Sequence, residues 1–303
     1  MTPGADQVRA EIAASGDGGS AVRAAGLEPG ARRWVENRAV DGWLPRLDLA
    51  EVWASREIAA VLAFRNIRIR YKQTFFGVAW ALIQPLAAVG IFSLIFGRLA
   101  QLPSEGIPYP VFVYAGLAVW LYFSQSATLA SESLAQYREL VTKVYFPRLL
   151  APVAAVVPAL VDLAVSLLAV GVFMAIYGVA PTGAIVFLPL WLVALVTLAF
   201  GVGTWLSAIN VQYRDVRNAL AFLLQLWFFA SPIVYGSSLV EGNWKFLLAL
   251  NPLVGLLAGF RWSLVGTPFP GPEALVSLAT GMLVVVSGTI YFGRAQRRFA
   301  DVI

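Results

Sequence analysis

Long runs without a charged residue constrain this chain more than any other feature of its sequence. The charge-free or nearly charge-free runs are residues 73–97, 106–131, 149–213, 218–240 and 274–293. The hydrocarbon core of a bilayer is about 30 Å thick, and roughly 20 apolar residues cross it as a helix. The runs therefore predict an all-α, polytopic membrane protein.

The composition supports this class and excludes others. Of 303 residues, 59% are hydrophobic and 13% are charged, whereas a soluble domain carries about 45–50% apolar and about 25% charged residues. This chain has too few charges to cover a water-soluble body, which excludes a soluble enzyme. There is no Cys and no His, so thiolate chemistry, disulfides and the commonest metal ligand are absent, and no metal site is predicted.

The runs divide into six predicted spans. The run over 149–213 is split by a turn at Gly178–Gly183 (GVAPTG). The stretch Phe246–Phe260 is too short to span and is broken by Asn251-Pro252, so we expect a pair of re-entrant half-helices over 243–262 on the outer side. The predicted spans are about 75–97, 109–130, 149–177, 184–209, 218–236 and 274–292.

The distribution of Lys and Arg predicts the orientation. With the N-terminus inside, twelve cations lie on the inner side near the spans, and three lie on the outer side, namely Arg98, Lys245 and Arg261. Positive residues favour the cytoplasmic side, so both termini are predicted to be cytoplasmic. The net charge of +5 is then explained by cations on a cytoplasmic docking surface, and no nucleic-acid partner is expected.

The first 50 residues differ from the rest of the chain. They are rich in Gly, Ala, Asp, Glu and Arg and contain no apolar segment of the kind found in secretory signals. This composition predicts a cytoplasmic, disordered tail over 1–50. A passive tail is favoured over one that docks a partner.

A basic amphipathic helix is predicted directly before the first span, over about 51–72. Phe64, Ile67 and Tyr71 recur at helical spacing. Such a helix lies in the membrane interface with its cations near lipid phosphates. It is either a topology anchor, which the physics alone favours, or a site for a phosphorylated lipid headgroup. The residues concerned are Arg65, Arg68, Arg70, Tyr71 and Lys72.

Two predicted cytoplasmic loops could contact a soluble partner. Ser133-x-x-Gln136 has the spacing of a capping box, so we expect a short amphipathic helix over 131–144. The second loop, 210–217, is very short and highly charged. Each loop could also be an ordinary connection. The candidate contact residues are Glu132, Gln136, Arg138, Glu139, Lys143, Arg214 and Asp215.

Asp162 is the only acidic residue deep within a predicted span. It lies 14 residues beyond Arg148, about 21 Å along the helix, and intramembrane acids are costly and usually functional. No basic residue lies in any predicted span to pair with it. A hydrogen bond to Ser166, Thr204 or Tyr177 is favoured over a protonated, proton-coupling carboxyl.

Aromatic residues cluster in the second and fifth predicted spans. Belt and packing roles are the more probable for any one residue, but flat rings also suit the apolar faces of sugars in a conduit. The candidate conduit residues are Tyr114, Trp120, Phe123, Trp227 and Phe228.

The chain contains no P-loop, because no Lys follows a Gly. If transport is active, its energy comes from another polypeptide or from an ion gradient.

The segment Arg65–Leu86 (RNIRIRYKQTFFGVAWALIQPL) resembles the transmembrane permease subunit of ABC type 2 exporters, in the branch that exports O-antigen, capsule and teichoic acid. The family's first arginine falls on Arg65 or Arg68, and Asn66 replaces the family's usual acid. Similarity runs from about residue 50 to the end of the chain. The remaining matching positions are Arg70, Tyr71, Thr74, Gly77, Trp80, Gln84-Pro85, Lys143–Leu149, Val161-Asp162, Tyr213-Arg214-Asp215 and Asn251-Pro252.

The resemblance implies a homodimer of six-span subunits in the inner membrane, bound to two copies of a cytoplasmic ATPase that holds ATP and Mg²⁺. The chain itself would be no enzyme. Its interface helix would lie beside the path of an undecaprenyl-linked glycan, most often an O-antigen. Residues 131–144 would dock in the ATPase, and 246–261 would form an outer gate.

Three alternatives stay open at the level of sequence. A permease of the same fold could move a drug or small lipid, although the pattern from Arg70 to Trp80 favours glycans. A membrane-embedded lipid-modifying enzyme needs clustered acids or a His, and the spans offer only Asp162. A proton-coupled carrier would depend on Asp162.

Overall fold

A computed structural model describes residues 53–72, 79–137, 147–213, 215–240 and 242–296. Within these residues the chain contains helices and turns and no strand. The predicted tail over 1–50 lies outside the described residues, as do Arg138, Glu139, Lys143, Arg214, Thr74 and Gly77. The all-α, polytopic class predicted from the charge-free runs is confirmed for the described part.

The described residues form nine α-helices. A π-helical segment, Ser93–Leu99, continues α2, and a 3₁₀ segment, Gly183–Phe187, leads into α5. The helices are α1 Arg56–Lys72, α2 Trp80–Phe92, α3 Tyr109–Gln136, α4 Leu150–Ile176, α5 Leu188–Gln212, α6 Val216–Phe229, α7 Trp244–Ala249, α8 Pro252–Val265 and α9 Glu273–Ala295.

Four helical segments are long and apolar enough to cross a membrane. They are Trp80–Leu99, Leu150–Ile176, Gly183–Gln212 and Glu273–Ala295. Their bounds lie within a few residues of the first, third, fourth and sixth predicted spans, because local apolar composition determines both. Helices α6 and α8 are apolar but shorter.

Helix α3 lies at the centre of the bundle. Every residue from Val111 to Trp120 is buried, and the helix contacts α2, α4, α5, α6 and α8. It begins after Pro108, with Pro110 in the first turn, where proline costs no helical hydrogen bond. Because other helices cover this segment on all sides, α3 can carry tyrosines, tryptophan and hydroxyl residues that a lipid-facing helix would avoid.

The predicted helix start at Ser133 is wrong. Helix α3 continues without interruption to Gln136, and the Ser133 hydroxyl donates to the Ala130 carbonyl of the same helix at 2.7 Å. A serine inside a helix commonly bonds back in this way, whereas a capping serine requires an end of helix that is absent here. The rest of the predicted coupling helix, 138–144, lies outside the described residues.

Helix α6 ends earlier than predicted. It stops at Phe229, seven residues before the expected end of the fifth span, and the chain continues in turns up to Tyr235. Pro232 disfavours a helical conformation at Ser231 and cannot donate a backbone hydrogen bond. Apolar composition continues through this segment, so the charge-free run did not reveal the break.

The predicted helix break at Asn251-Pro252 is confirmed. Helix α7 ends at Ala249, and α8 begins at Pro252, with the Asn251 side chain accepting from the Leu253 amide at 3.0 Å. Helix α8 extends to Val265, three residues beyond the expected end, where Gly266 adopts a φ of 78° and terminates it.

Helices α5 and α9 pack closely through glycines. A Cβ on Gly201 would lie 2.6 Å from the Val285 Cα, and one on Gly288 would meet the Gly201 carbonyl and the Trp205 ring. The Trp205 ring stacks on Tyr291 with ring centroids 4.5 Å apart. Small residues at such a contact allow two membrane helices to approach, which maximises van der Waals packing.

Candidate functional site

A cavity of about 640 Å³ lies among the ends of α1 and α2 and the sides of α3 and α4. Arg70 and Tyr71 come from the last turn of α1, and Trp80 and Gln84 come from the start of α2. Asp162 projects from α4. We call this space the Arg70 cavity. Arg70, Tyr71, Trp80 and Gln84 all belong to the sequence pattern around the first predicted span. The cavity brings them together with Asp162, the one acid inside the third predicted span.

Asp162 is paired in this cavity. The Arg70 Nη2 lies 2.8 Å from Asp162 Oδ2, and the Tyr71 hydroxyl donates to Asp162 Oδ1 at 2.5 Å. Burial, followed by the hydrogen bond and the negative charge of Asp162, raises the pKa of Tyr71 to about 12. Tyr71 therefore stays a neutral donor at physiological pH.

These partners differ from those expected from the sequence. Ser166, Thr204 and Tyr177 were the candidates, but Thr204 donates to the Gly201 carbonyl, and the Tyr177 ring stacks on Phe173. Asp162 lies 12 residues into α4, about 18 Å from its start, and α1 reaches this level. Helix α1 therefore supplies Arg70 as the basic partner of Asp162, which the predicted spans themselves lack.

Helix α1 packs against the bundle through Leu62 and Ala63, in addition to Tyr71 of the predicted apolar face. Leu62 and Ala63 are buried, whereas Phe64 is 71% exposed. The Tyr137 hydroxyl donates to Asn66 Oδ1 at 2.8 Å, and the Arg65 guanidinium lies 6.0 Å from the centroid of the Tyr137 ring. These contacts anchor α1 to the end of α3.

The cations of α1 occupy different environments. Arg65 and Arg68 are exposed, and Arg70 is partly buried in the cavity. Helix α1 ends at Lys72. Among the described basic side chains of α1, Arg70 is the one that lines the Arg70 cavity.

The described candidate partner-contact residues, Glu132, Gln136 and Asp215, lie at one end of the bundle. Glu132, on α3, forms an ion pair of 2.8 Å with the Arg217 Nε at the start of α6. Gln136 and Asp215 are exposed. The Asn210 side chain donates to the Ser131 carbonyl at 2.9 Å. The end of α3 and the α5–α6 turn thus form one continuous charged surface.

Three of the five candidate conduit aromatics are packed in the interior of the chain, and Trp227 and Phe228 are half-buried. Tyr114 and Phe123 are fully buried, and Trp120 is 8% exposed. Trp120 contacts Phe228 edge-on at 5.5 Å, and Phe123 contacts Trp227 at 5.0 Å. In this conformation Tyr114, Trp120 and Phe123 present almost no surface to a conduit. Edge-to-face pairs of this kind stabilise a core.

Arg261 is buried at the opposite end of α3, although its place in the sequence suggested an exposed outer charge. It is 3% exposed. Its Nη1 and Nη2 donate to the carbonyls of Pro232 and Ile233 at 2.7 and 2.6 Å, and its guanidinium lies 3.7 Å from the centroid of the Phe112 ring. Its position within the apolar stretch 246–265 was the signal that could have marked it as structural.

Asn251 lies next to these contacts, and we call Arg261, Phe112, Pro232, Ile233 and Asn251 the Arg261 cluster. The Oδ1 atom of Asn251 accepts from the Trp227 indole at 2.9 Å, as well as capping α8. Its amide donates to the Ser231 hydroxyl at 2.9 Å, and its carbonyl accepts from Ser277 at 2.7 Å. One side chain and its backbone thus join α6, α8 and α9.

Comparison with known proteins assigns the chain to a family. The ABC-2 type transporter family matches residues 59–265. The O-antigen export system permease protein RfbA of Myxococcus xanthus is 30% identical over 84% of this chain and 98% of its own length.

Two further relatives are more distant. The protein of the same description from Klebsiella pneumoniae is 26% identical over 82% of this chain and 95% of its own length. The polysialic acid transport protein KpsM of Escherichia coli is 28% identical over 78% of this chain and 91% of its own length. With its long apolar helices, the chain is a multi-pass membrane protein, consistent with the inner membrane, and it belongs to the ABC-2 type transporter family.

Proposed function

We propose that the chain is the permease subunit of an ATP-driven exporter that moves a lipid-linked polysaccharide outward across the inner membrane. The Arg70 cavity carries the proposal, because it places one cation, one tryptophan and several neutral polar side chains beside the interface helix. A phosphate and its first sugar need these groups. Relatives described as O-antigen export permeases favour an O-antigen as the substrate.

The proposed topology has six spans with both termini in the cytoplasm. Helix α3 is 28 residues long, about 42 Å at 1.5 Å per residue, which suffices for a second span. Helix α6 and the turns after it would form the fifth. Twelve cations near the inner ends of the spans, against Arg98, Lys245 and Arg261 on the outer side, support this orientation.

The proposed assembly is a homodimer bound to two copies of a cytoplasmic ABC ATPase. ATP and Mg²⁺ would bind to the ATPase, since this chain has no P-loop. The charged surface formed by Glu132, Gln136, Asp215 and Arg217 would lie against the ATPase. Arg138, Glu139, Lys143 and Arg214 neighbour it in sequence. Helices α7 and α8 would form the outer gate.

The headgroup would approach the cavity along α1. Arg65 and Arg68 are exposed and would attract lipid phosphates, and Arg70 would bind the phosphate inside. The interface helix would thus serve both as an anchor and as a headgroup site.

A capsule-type polysaccharide is the second candidate substrate, because one relative is described as a polysialic acid transport protein. A proton-coupled carrier is disfavoured, because Asp162 is held in an ion pair with Arg70 at 2.8 Å and accepts a hydrogen bond from Tyr71. The Arg70 cavity gives no comparable reason to prefer a drug or a small lipid.

The test compares two arginines of α1. The permease is expressed with the ABC ATPase encoded beside it, in a strain whose own O-antigen permease is deleted and whose glycan synthesis is intact. Arg70→Gln should reduce surface polysaccharide by roughly tenfold or more, because a hydrogen bond to a charged group is worth about 1.5–3 kcal/mol. Arg56→Gln is the matched control, since Arg56 is exposed at the start of α1 and lies outside the cavity.

Folding and assembly are checked on the same variants. Arg70→Gln/Asp162→Asn removes both charges of the pair and guards against an unpaired buried carboxylate. The proposal is wrong if no ATPase co-purifies with the folded chain. It is also wrong if export is equal in the Arg56 and Arg70 variants.

A further inference from the structure

We propose that Asp162 is a positioning residue that competes with the substrate for Arg70. It would hold the guanidinium in the empty cavity and release it to the phosphate of an arriving lipid headgroup. This inference rests on the proposed function, since it assigns a role to the acid within the proposed headgroup site.

The charges of the cavity support this competition. Among the described residues that line it, Arg70 is the one base and Asp162 is the one acid. The empty cavity is therefore neutral, with both charges paired to each other. A phosphate that enters finds no other cation among the described lining residues and must share or take the guanidinium.

Accessibility indicates which partner can be exchanged. The Arg70 side chain is 34% exposed, and that of Asp162 is 15% exposed. A guanidinium has five N–H donors, and the ion pair with the carboxylate is closest at Nη2. An anion in the cavity can therefore meet Arg70 before the ion pair is broken, and the exchange need not pass through an isolated charge.

Tyr71 gives the carboxylate a second partner. Its hydroxyl donates to Oδ1 at 2.5 Å, whereas Arg70 faces Oδ2. When Arg70 turns to a phosphate, Asp162 keeps this hydrogen bond and is not left without a donor in a site of low dielectric constant. The two adjacent residues at the end of α1 thus divide the two oxygens between them.

Competition has a consequence for transport. An internal anion weakens the binding of the substrate and speeds its release, because Asp162 retakes Arg70 when the phosphate leaves. A site without Asp162 should bind the headgroup more tightly and pass it on more slowly. This combination separates a competitor from a residue that only supports the fold, whose loss would weaken both steps.

The experiment measures the affinity of a defined probe. Farnesyl phosphate is titrated into the purified permease–ATPase complex in nanodiscs by calorimetry, with farnesol and inorganic phosphate as parallel ligands. Farnesol tests the contribution of the lipid chain alone. Inorganic phosphate tests whether the cavity takes free phosphate or requires a lipid headgroup.

The variants have opposite expected effects. Asp162→Asn should bind farnesyl phosphate roughly tenfold more tightly, because a nearby negative charge is removed, and its maximal substrate-stimulated ATP turnover should fall. Arg70→Gln should abolish the phosphate-dependent part of binding, and Arg70→Gln/Asp162→Asn should resemble it. Arg56→Gln, an exposed arginine of α1 outside the cavity, should bind as the wild type does.

A second variant covers the case in which Asp162→Asn does not fold. Tyr71→Phe keeps both charges but removes the second partner of the carboxylate, so farnesyl phosphate should bind several-fold more weakly. Melting temperatures and elution profiles of all variants establish that they are folded. The inference is overturned if Asp162→Asn weakens binding or leaves it unchanged, or if Tyr71→Phe binds as the wild type does.

The outcomes separate this inference from the proposed function. If the wild type binds the probe through Arg70 but removal of Asp162 does not tighten binding, the competitor role fails and the headgroup site stands. If the wild type does not distinguish farnesyl phosphate from farnesol, both fail.

Discussion

Replacing Arg261 by methionine should lower stability far more than the loss of an ordinary peripheral cation. Arg261 is 3% exposed and donates to two backbone carbonyls, those of Pro232 and Ile233. Methionine fills much of the same volume and keeps contact with the Phe112 ring, but it has no donor. Both carbonyls would then lack their hydrogen bonds in the interior.

The magnitude follows from those two groups. A buried acceptor left without a partner costs about 1–3 kcal/mol, so two give about 2–6 kcal/mol. Removal of a buried charge recovers part of this cost, because the guanidinium no longer has to be held out of water. We expect a net loss of about 3 kcal/mol, which corresponds to a melting temperature lower by roughly 6–12 °C.

The measurement is thermal unfolding of the purified chain in detergent. Arg98→Met is the matched control, because Arg98 is exposed and its replacement should leave the melting temperature within about 2 °C. Arg261→Lys should lie between the two, since a lysine keeps the charge but lacks the paired donors. If Arg261→Met melts with the control, the carbonyls are satisfied in another way and the reasoning is refuted.

Three further substitutions test other parts of the fold. Asn251→Ala removes the cap of α8 and the acceptor of an indole hydrogen bond. It should lose about 2 kcal/mol in thermal unfolding, and a loss below about 0.5 kcal/mol would contradict the joining role of this residue. Gly288→Leu should separate α5 from α9 and reduce the yield of folded protein. Gly90→Leu should be tolerated, because a Cβ added at Gly90 meets no atom within 4 Å; equal yields of the two variants would disprove the close contact. Glu132→Gln should change stability by less than about 1 kcal/mol, because its partner Arg217 is 73% exposed; a drop of several degrees in the melting temperature would show the pair to be structural.

The apolar helices could be predicted from sequence because the membrane constrains each one locally. The third predicted span, 149–177, corresponds to the helix Leu150–Ile176. The sixth predicted span, 274–292, corresponds to the helix Glu273–Ala295. The break at Asn251-Pro252 is equally local, since proline removes a donor and restricts the residue before it. None of these features depends on a distant part of the chain.

The contacts within the site could not be predicted in the same way. Arg70 and Asp162 are 92 positions apart, and their pairing depends on how far α1 extends into the bundle. Arg261 was assigned to the exterior because a count of flanking charges treats each of them as exposed. Ser133 matched a capping pattern, but tertiary packing extends α3 through it, so its hydroxyl bonds within the helix.

Helix α3 is one uninterrupted rod that runs between the two ends of the described bundle. At its first turn, the Tyr109 hydroxyl donates to the Val234 carbonyl beside the Arg261 cluster, and after its last turn, Tyr137 donates to Asn66 on α1. The rod is about 42 Å long, and a straight helix resists bending. If α3 tilts about its middle, its two ends move in opposite directions, so a displacement at the Glu132 end would reach α7 and α8 through the helix itself and would need no relay of side-chain rearrangements.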